Sequence, residues 1–308
     1  MSVLMLRALG IGDLLVTVPA LRGLRRAFAD DHLVLAAPEG LTGLVALTGA
    51  VDEVLPTPGL GALRWPRPAP RVAVNLHGSG PESISDLRAT GAERLITHRH
   101  NDFPDVDGPQ WSEDGREVDR WCRLLAAHDI ETDRNDLALT RPAVPSPAPG
   151  AVVVHPGAAF PARRWPPERF AEVAAAFARD GHRVVVTGNT AERDLASRVA
   201  TEAGLGHDAV LAGRTGLMEL AALVAEATLV MCGDTGVAHL ATAYGTPSVV
   251  LFGPTPPAHW GPPPDRPQHR PLWAGRTGDP FGLEPDPGLL ELSTQDVLHA
   301  ALEPRSRI

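Results

Sequence analysis

Short apolar runs alternate with stretches of helical periodicity along almost the whole chain, and the alternation breaks once, at RPAVPSPAPG, residues 141–150. Proline fixes φ and has no amide donor, so this stretch can hold neither a helix nor a central strand. Before it, residues 3–8, 32–37, 51–55, 71–76 and 94–97 read as strands, and residues 14–28, 41–47 and 118–128 as helices. After it, strands are expected at 151–155, 182–187, 209–211, 228–232 and 248–252, and helices at 167–179, 191–203, 217–225, 237–244 and 294–302. The Pro-rich stretch 253–271 reads as loop. Strands that alternate with crossover helices pair in parallel and are covered on both faces. The expected class is therefore α/β, with two doubly wound domains at residues 1–145 and 146–292, and a closing helix and tail at 293–308 that returns toward the first domain. Ligands of such sheets sit at the carboxyl ends of strands, so a cleft between the domains is the expected site.

Composition narrows the function. A chain of 308 residues is long for one core and suits two domains. Its net charge of −9 argues against nucleic acid as a partner. No apolar run reaches the roughly 20 residues of a membrane span, although a local Arg patch leaves peripheral membrane contact open. The start, MSVLMLRALGIGD, lacks the basic region and cleavage site of a signal peptide. Cys122 and Cys232 lie far apart in apolar segments, as buried free thiols of a cytoplasmic protein would. The chain has no lysine, so every fixed side-chain cation is Arg.

Three segments carry chemistry. LGIGDLL (9–15) places Gly10 and Gly12 before Asp13, which reads as opening a helix. Spacing alone favours Asp13 as an N-cap; the functional reading is a general base at a strand's carboxyl end. In VMCGDTGVAHLATAYGTPSVVLFGPT (230–255) a strand passes through Asp234, Thr235 and Gly236 into a helix bearing His239. Such a helix start suits a diphosphate, and an N-cap with a core-satisfied His is an equal reading. At residues 187–192, Thr187, Gly188 and Glu192 lead from strand to helix; the acid suits ribose hydroxyls or simply a first-turn charge. In HPGAAFPARRWPPERF (155–170), Arg163 and Arg164 suit phosphate oxygens, or are a surface pair. His77 and Gly78, after the strand at 71–76, are placed on the acceptor side. Asp105-Val106-Asp107 and His98-Arg99-His100 lack the company of a metal site and read as surface loop.

These segments, in this order, resemble the heptosyltransferases, glycosyltransferase family 9. GIGDLLVTVPALRGLR is similar to the family's amino-terminal motif, HPGAAFPARRWPPERF to its Lys/Arg-Trp-Pro segment, TGNTAERD to its donor-ribose segment, and CGDTGVAHLATAYGTPSVVLFGPT to its long signature. The resemblance implies a GT-B fold, two Rossmann-like domains facing across a cleft. It implies an inverting, metal-independent transfer from a nucleotide sugar, typically ADP-heptose, to a glycan or small-molecule hydroxyl, with no cofactor. It implies Asp13 as base, with Gly12 beside it. It puts Thr235, Gly236 and His239 on the diphosphate with Asp234 shaping the turn, Glu192 on the ribose and Thr215 near the adenine. Arg163 stands where the family usually has a lysine. Two further readings stay open: a transferase or epimerase using another nucleotide sugar, and a catalytically weak nucleotide-sugar-binding protein.

Overall fold

In the computed structural model, which describes residues 1–302, contacts divide the chain into two compact units, the first ending at Thr140 and the second beginning at Arg141. The first unit has strands β1 (Ser2–Leu6), β2 (His32–Ala37), β3 (Glu53–Pro56), β4 (Val72–Asn75) and β5 (Arg94–Ile96) in one sheet of order β3-β2-β1-β4-β5. The second has β6 (Val152–His155), β7 (Val184–Val186), β8 (Leu229–Gly233), β9 (Ser248–Phe252) and β10 (His269–Trp273), in the order β10-β9-β8-β6-β7. Every pairing is parallel. Central strands are buried on both faces, which is why SVLML, VVVH and SVVLF are nearly continuous apolar runs rather than alternating ones. Each sheet reverses its winding once, between β1 and β4 in the first unit and between β6 and β8 in the second. A doubly wound sheet opens its ligand crevice there, beyond the strands' carboxyl ends.

Several elements depart from expectation for local reasons. The helix expected over 14–28 is two, Ile11–Leu15 and Val18–Ala27. Pro19 cannot donate the amide that would continue the first, and Thr17 Oγ1 donates to the Leu14 carbonyl at 2.6 Å. Residues 207–209 form a 3-10 turn rather than a strand, and only Val210 bridges to Val186. The stretch 253–271 is not all loop: it holds a short helix, Pro257–Trp260, and the start of β10. Pro271 fits inside β10 because that strand lies at the sheet edge. A helix at Pro81–Arg88, absent from the sequence reading, starts with Pro after Gly80 and buries Ile84 and Leu87. The last described helix, Thr294–Leu302, packs within the second unit on helix Pro167–Arg179, β9 and β10. Among the described residues no helix is long and apolar enough to cross a membrane. Cys122 and Cys232 are free and buried.

Candidate active site

In the first unit, β1 delivers Arg7 to the mouth of its crevice. The Arg7 side chain is 1% exposed. Its Nε donates to the Asp13 carbonyl at 2.9 Å and its Nη2 to Asp13 Oδ1 at 3.2 Å. Nη1 donates to the Leu76 carbonyl at 2.6 Å, tying the ends of β1 and β4 together. Glu117 Oε1 lies 3.6 Å from Nη2, and the Trp121 ring centroid lies 4.8 Å from the guanidinium carbon. Burial lowers the Arg7 pKa to about 10, with Asp13 opposing the shift, so the group stays charged near neutrality. Gly10, not Asp13, is the helix cap; Asp13 is a first-turn acid gripped on one oxygen by Arg7 and still one-third exposed, at 32%. That corrects the N-cap reading and leaves a carboxylate oriented by a fixed cation. Gly12 lies in the same turn.

His77 Nδ1 accepts from the Ala8 amide at 3.2 Å, so a neutral ring carries its proton on Nε2. Burial first, then Arg7, lowers the His77 pKa, against Asp13. The amides of His77 and Gly78 both donate to Asn75 Oδ1, at 3.1 and 3.5 Å. Asn75 is fully buried and its amide donates to Ser83 Oγ and Thr97 Oγ1.

In the second unit the loop after β6 meets the end of β8. Arg163 closes a 3-10 turn, Pro161–Arg163, and its Nη1 is 3.9 Å from Asp234 Oδ2. Its Nε is buried without a hydrogen-bond partner. Its guanidinium carbon lies 5.6 Å from the Phe160 ring centroid. Arg164 instead turns back on its own loop, Nε donating to the Ala158 carbonyl at 2.9 Å. Thr235, in extended conformation, caps helix Gly236–Tyr244 without a side-chain cap bond. The first amides of that helix are the ones a helix leaves without intrahelical partners, where an anion is favoured. His239, one turn in, sets its ring edge-on to Trp260 at 6.1 Å.

A second cluster lies beyond β7. Thr187 is buried, with Oγ1 3.0 Å from His155 Nδ1 and 3.3 Å from the Val154 carbonyl. Asn189 and Glu192 form a reciprocal capping box, so the first-turn role considered for Glu192 is present whether or not it also meets a ribose. The Glu192 carboxylate lies so close to Gly157 that a Cβ there would come within 2.1 Å of Oε1. Gly188 accepts from the Gly213 amide at 3.0 Å, and Thr215 Oγ1 reaches the Leu211 carbonyl at 3.5 Å. Arg163, Asp234, Thr235 and Gly236 are thus drawn to the ends of β6 and β8, and Thr187, Gly188, Glu192 and Thr215 to a neighbouring group at β7.

Arg7, Asn75 and His155 were not singled out from sequence. A signal existed for Arg7: a cation immediately after an all-apolar strand has to find a carboxylate, and Asp13 is near in sequence. Asp105 pairs with Arg88 at 3.0 Å, and no group of three or more His, Cys, Asp or Glu suited to a metal occurs among the described residues.

The family model described as Glycosyltransferase family 9 (heptosyltransferase) matches residues 118–274. No curated protein matches the chain. Solved structures do. A glycosyltransferase family 9 protein from Veillonella parvula superposes with a TM-score of 0.78 at 20% identity, covering 97% of this chain and 96% of that one. E. coli ADP-heptose LPS heptosyltransferase II gives 0.76 at 19%, with 97% of each chain covered. The iron-containing dodecameric glycosyltransferase TibC from enterotoxigenic E. coli gives 0.63 at 14%, covering 97% of this chain and 74% of that one.

Proposed function

The chain belongs to glycosyltransferase family 9, the heptosyltransferases, and from that premise we propose that it transfers a heptosyl group from ADP-heptose to a hydroxyl of a glycan or small molecule, with inversion and without a metal. The enzyme class and the GT-B architecture come with the family and the fold; donor, stereochemistry and residue roles are inferred from the chemistry of the two units.

The acceptor oxygen attacks the anomeric carbon as the bond to the ADP oxygen breaks. The free oxygen of Asp13 takes the acceptor proton while Arg7 holds the other. ADP leaves carrying the bonding pair, and its new charge falls to Arg163, the Thr235 hydroxyl and the opening amides of helix Gly236–Tyr244. Attack from the face opposite the leaving group inverts the centre. A single observation carries this reading: Arg163, with an unpartnered buried Nε, stands beside Asp234 where that helix begins. A fixed cation and helix amides do for a diphosphate what a divalent ion does in other transferases. Because TibC is described as iron-containing, the test includes metal removal. Purified enzyme should convert ADP-heptose and an acceptor hydroxyl to ADP and an inverted glycoside by NMR, equally well after EDTA. A strict metal requirement, or retained configuration, would overturn the mechanism.

A further inference from the structure

The first unit carries a concavity of about 700 Å³ that the mechanism above does not use. Its wall includes Ser79, Asn101, Phe103, Asp107, Gln110 and Trp111. Arg99, His100, Val106 and Asp107, from two stretches that looked from sequence like plain surface loop, also line it.

The loop is built rather than loose. The Arg99 amide donates to the Pro109 carbonyl at 3.1 Å, closing the segment on itself. Gly108 passes so near the Thr97 carbonyl oxygen that a Cβ would lie 2.0 Å from it. Trp111 is held by the Arg120 guanidinium, 4.2 Å from its ring centroid, and by the edge-on His98 ring at 4.9 Å. Asn75 ties this wall to the loop bearing Ser79: its side chain bonds Thr97 Oγ1 and also receives the His77 amide. His77 in turn bonds Ala8, the neighbour of Arg7, so a short chain of bonds links the concavity to Asp13 within one unit.

Its chemistry selects a ligand class. Two aromatic rings supply apolar faces, and amide, hydroxyl and carboxylate groups supply hydrogen bonds in both directions. Gln110 Oε1 accepts from Arg99 at 2.9 Å, leaving the Gln110 NH₂ to donate outward. Asp107 spends one oxygen on the Gly108 amide at 2.8 Å, leaving the other to accept. Net charge is not on offer: the wall carries one Arg, Arg99, and one carboxylate, Asp107. A phosphate brought here gains no net countercharge, because Arg99 already donates to Gln110 and shares the wall with Asp107.

We propose that this concavity is the acceptor subsite and that it takes a neutral, polyhydroxylated sugar rather than a phosphorylated one. Its place in the reaction rests on the glycosyltransferase reading above. The test uses the full chain and saturation-transfer NMR, with methyl α-mannoside, methyl β-glucoside and methyl β-N-acetylglucosaminide against mannose 6-phosphate and glucose 6-phosphate. At least one neutral glycoside should bind and both sugar phosphates should bind tenfold more weakly or not at all. Asn101→Trp, which fills the mouth from an exposed position, and Asp107→Asn should each weaken the glycoside tenfold or more. ADP affinity, measured by calorimetry on the same samples, should not change. No binding by any neutral glycoside, equal binding by the phosphates, two silent variants, or a parallel loss of ADP affinity overturns the proposal. If wild-type protein binds a glycoside there but no ADP, the donor assignment fails while the subsite stands.

Discussion

Burying a guanidinium as deeply as Arg7 is costly unless its charge and its donors are met, and the structure meets them with Asp13, the Leu76 carbonyl, Glu117 and the Trp121 face. The arrangement fixes where the Asp13 carboxylate points. Asp13→Asn keeps the shape and the contact to Arg7 but cannot accept a proton, so turnover should fall about 10²–10⁴-fold with an unchanged circular dichroism spectrum. Near-normal turnover would remove Asp13 from the base role. The two arginines of the second unit should separate as sharply. Arg163 borders Asp234, whereas Arg164 braces its own loop. Arg163→Ala should weaken ADP binding by about tenfold or more, the worth of one charge-assisted contact, and Arg163→Lys should recover much of it. Arg164→Ala should leave ADP affinity nearly intact by calorimetry; the reverse pattern would exchange their roles. At this scale the sequence was legible where neighbouring residues form one contiguous strand-to-helix turn, as at 234–239. It carried no signal for Asn75 and His155, whose partners Thr97 and Thr187 follow other strands; Arg7 had one in nearby Asp13, but its bond to the Leu76 carbonyl appears only once the sheet is wound.

Among the elements, strand and helix order followed the apolar periodicity, while boundaries yielded to local chemistry. The first helix breaks at Thr17 and Pro19, and β10 forms in a stretch so rich in proline that a strand seemed barred. Periodicity reports burial, and an edge strand such as β10, only partly buried, gives a weak signal. The join between β8 and the Arg163 loop offers a prediction that belongs to neither residue alone. A Cβ on Gly233 would lie 2.6 Å from the Arg163 carbonyl oxygen, inside any tolerable contact with backbone. Gly233→Ala must push the loop away from the end of β8. The expected cost is about 1–3 kcal/mol of stability in urea denaturation, typical of overpacking. Because the displaced loop carries Arg163, ADP affinity should fall as well. A variant with wild-type ADP affinity would show that the close approach does not set the position of the cation.

For the molecule as a whole, each unit buries a histidine whose pKa burial lowers, and these groups should contribute to the fold's response to acid. In the first unit, burial and then Arg120, Arg123 and His128 push His98 down to about 4. In the second, burial and then Arg266 push His269 down to about 4, and its Nδ1 sits 2.9 Å from Ser248 Oγ. An unfolded chain titrates histidine near 6.5, so between roughly pH 6.5 and 4 the unfolded state binds more protons than the folded one. Stability from these groups is therefore full above about pH 6.5 and lost as pH falls toward 4, by about 3 kcal/mol for each at the limit. The carboxylates Asp52 and Glu53, whose pKa values are also lowered, act in the same direction but below their ordinary range near pH 4. Urea midpoints at pH 7 and pH 4.5 separate the contributions. Wild-type protein should lose most of its histidine-linked stability across that interval. His98→Phe, which keeps an aromatic ring between Trp111 and Trp121 without a titrating group, should lose less. His269→Asn should do the same for the second unit. If the variants fall in step with wild type, neither histidine is excluded from protons in the native state, and the acid response belongs to the carboxylates and to the other histidines that burial lowers, His77, His128 and His155.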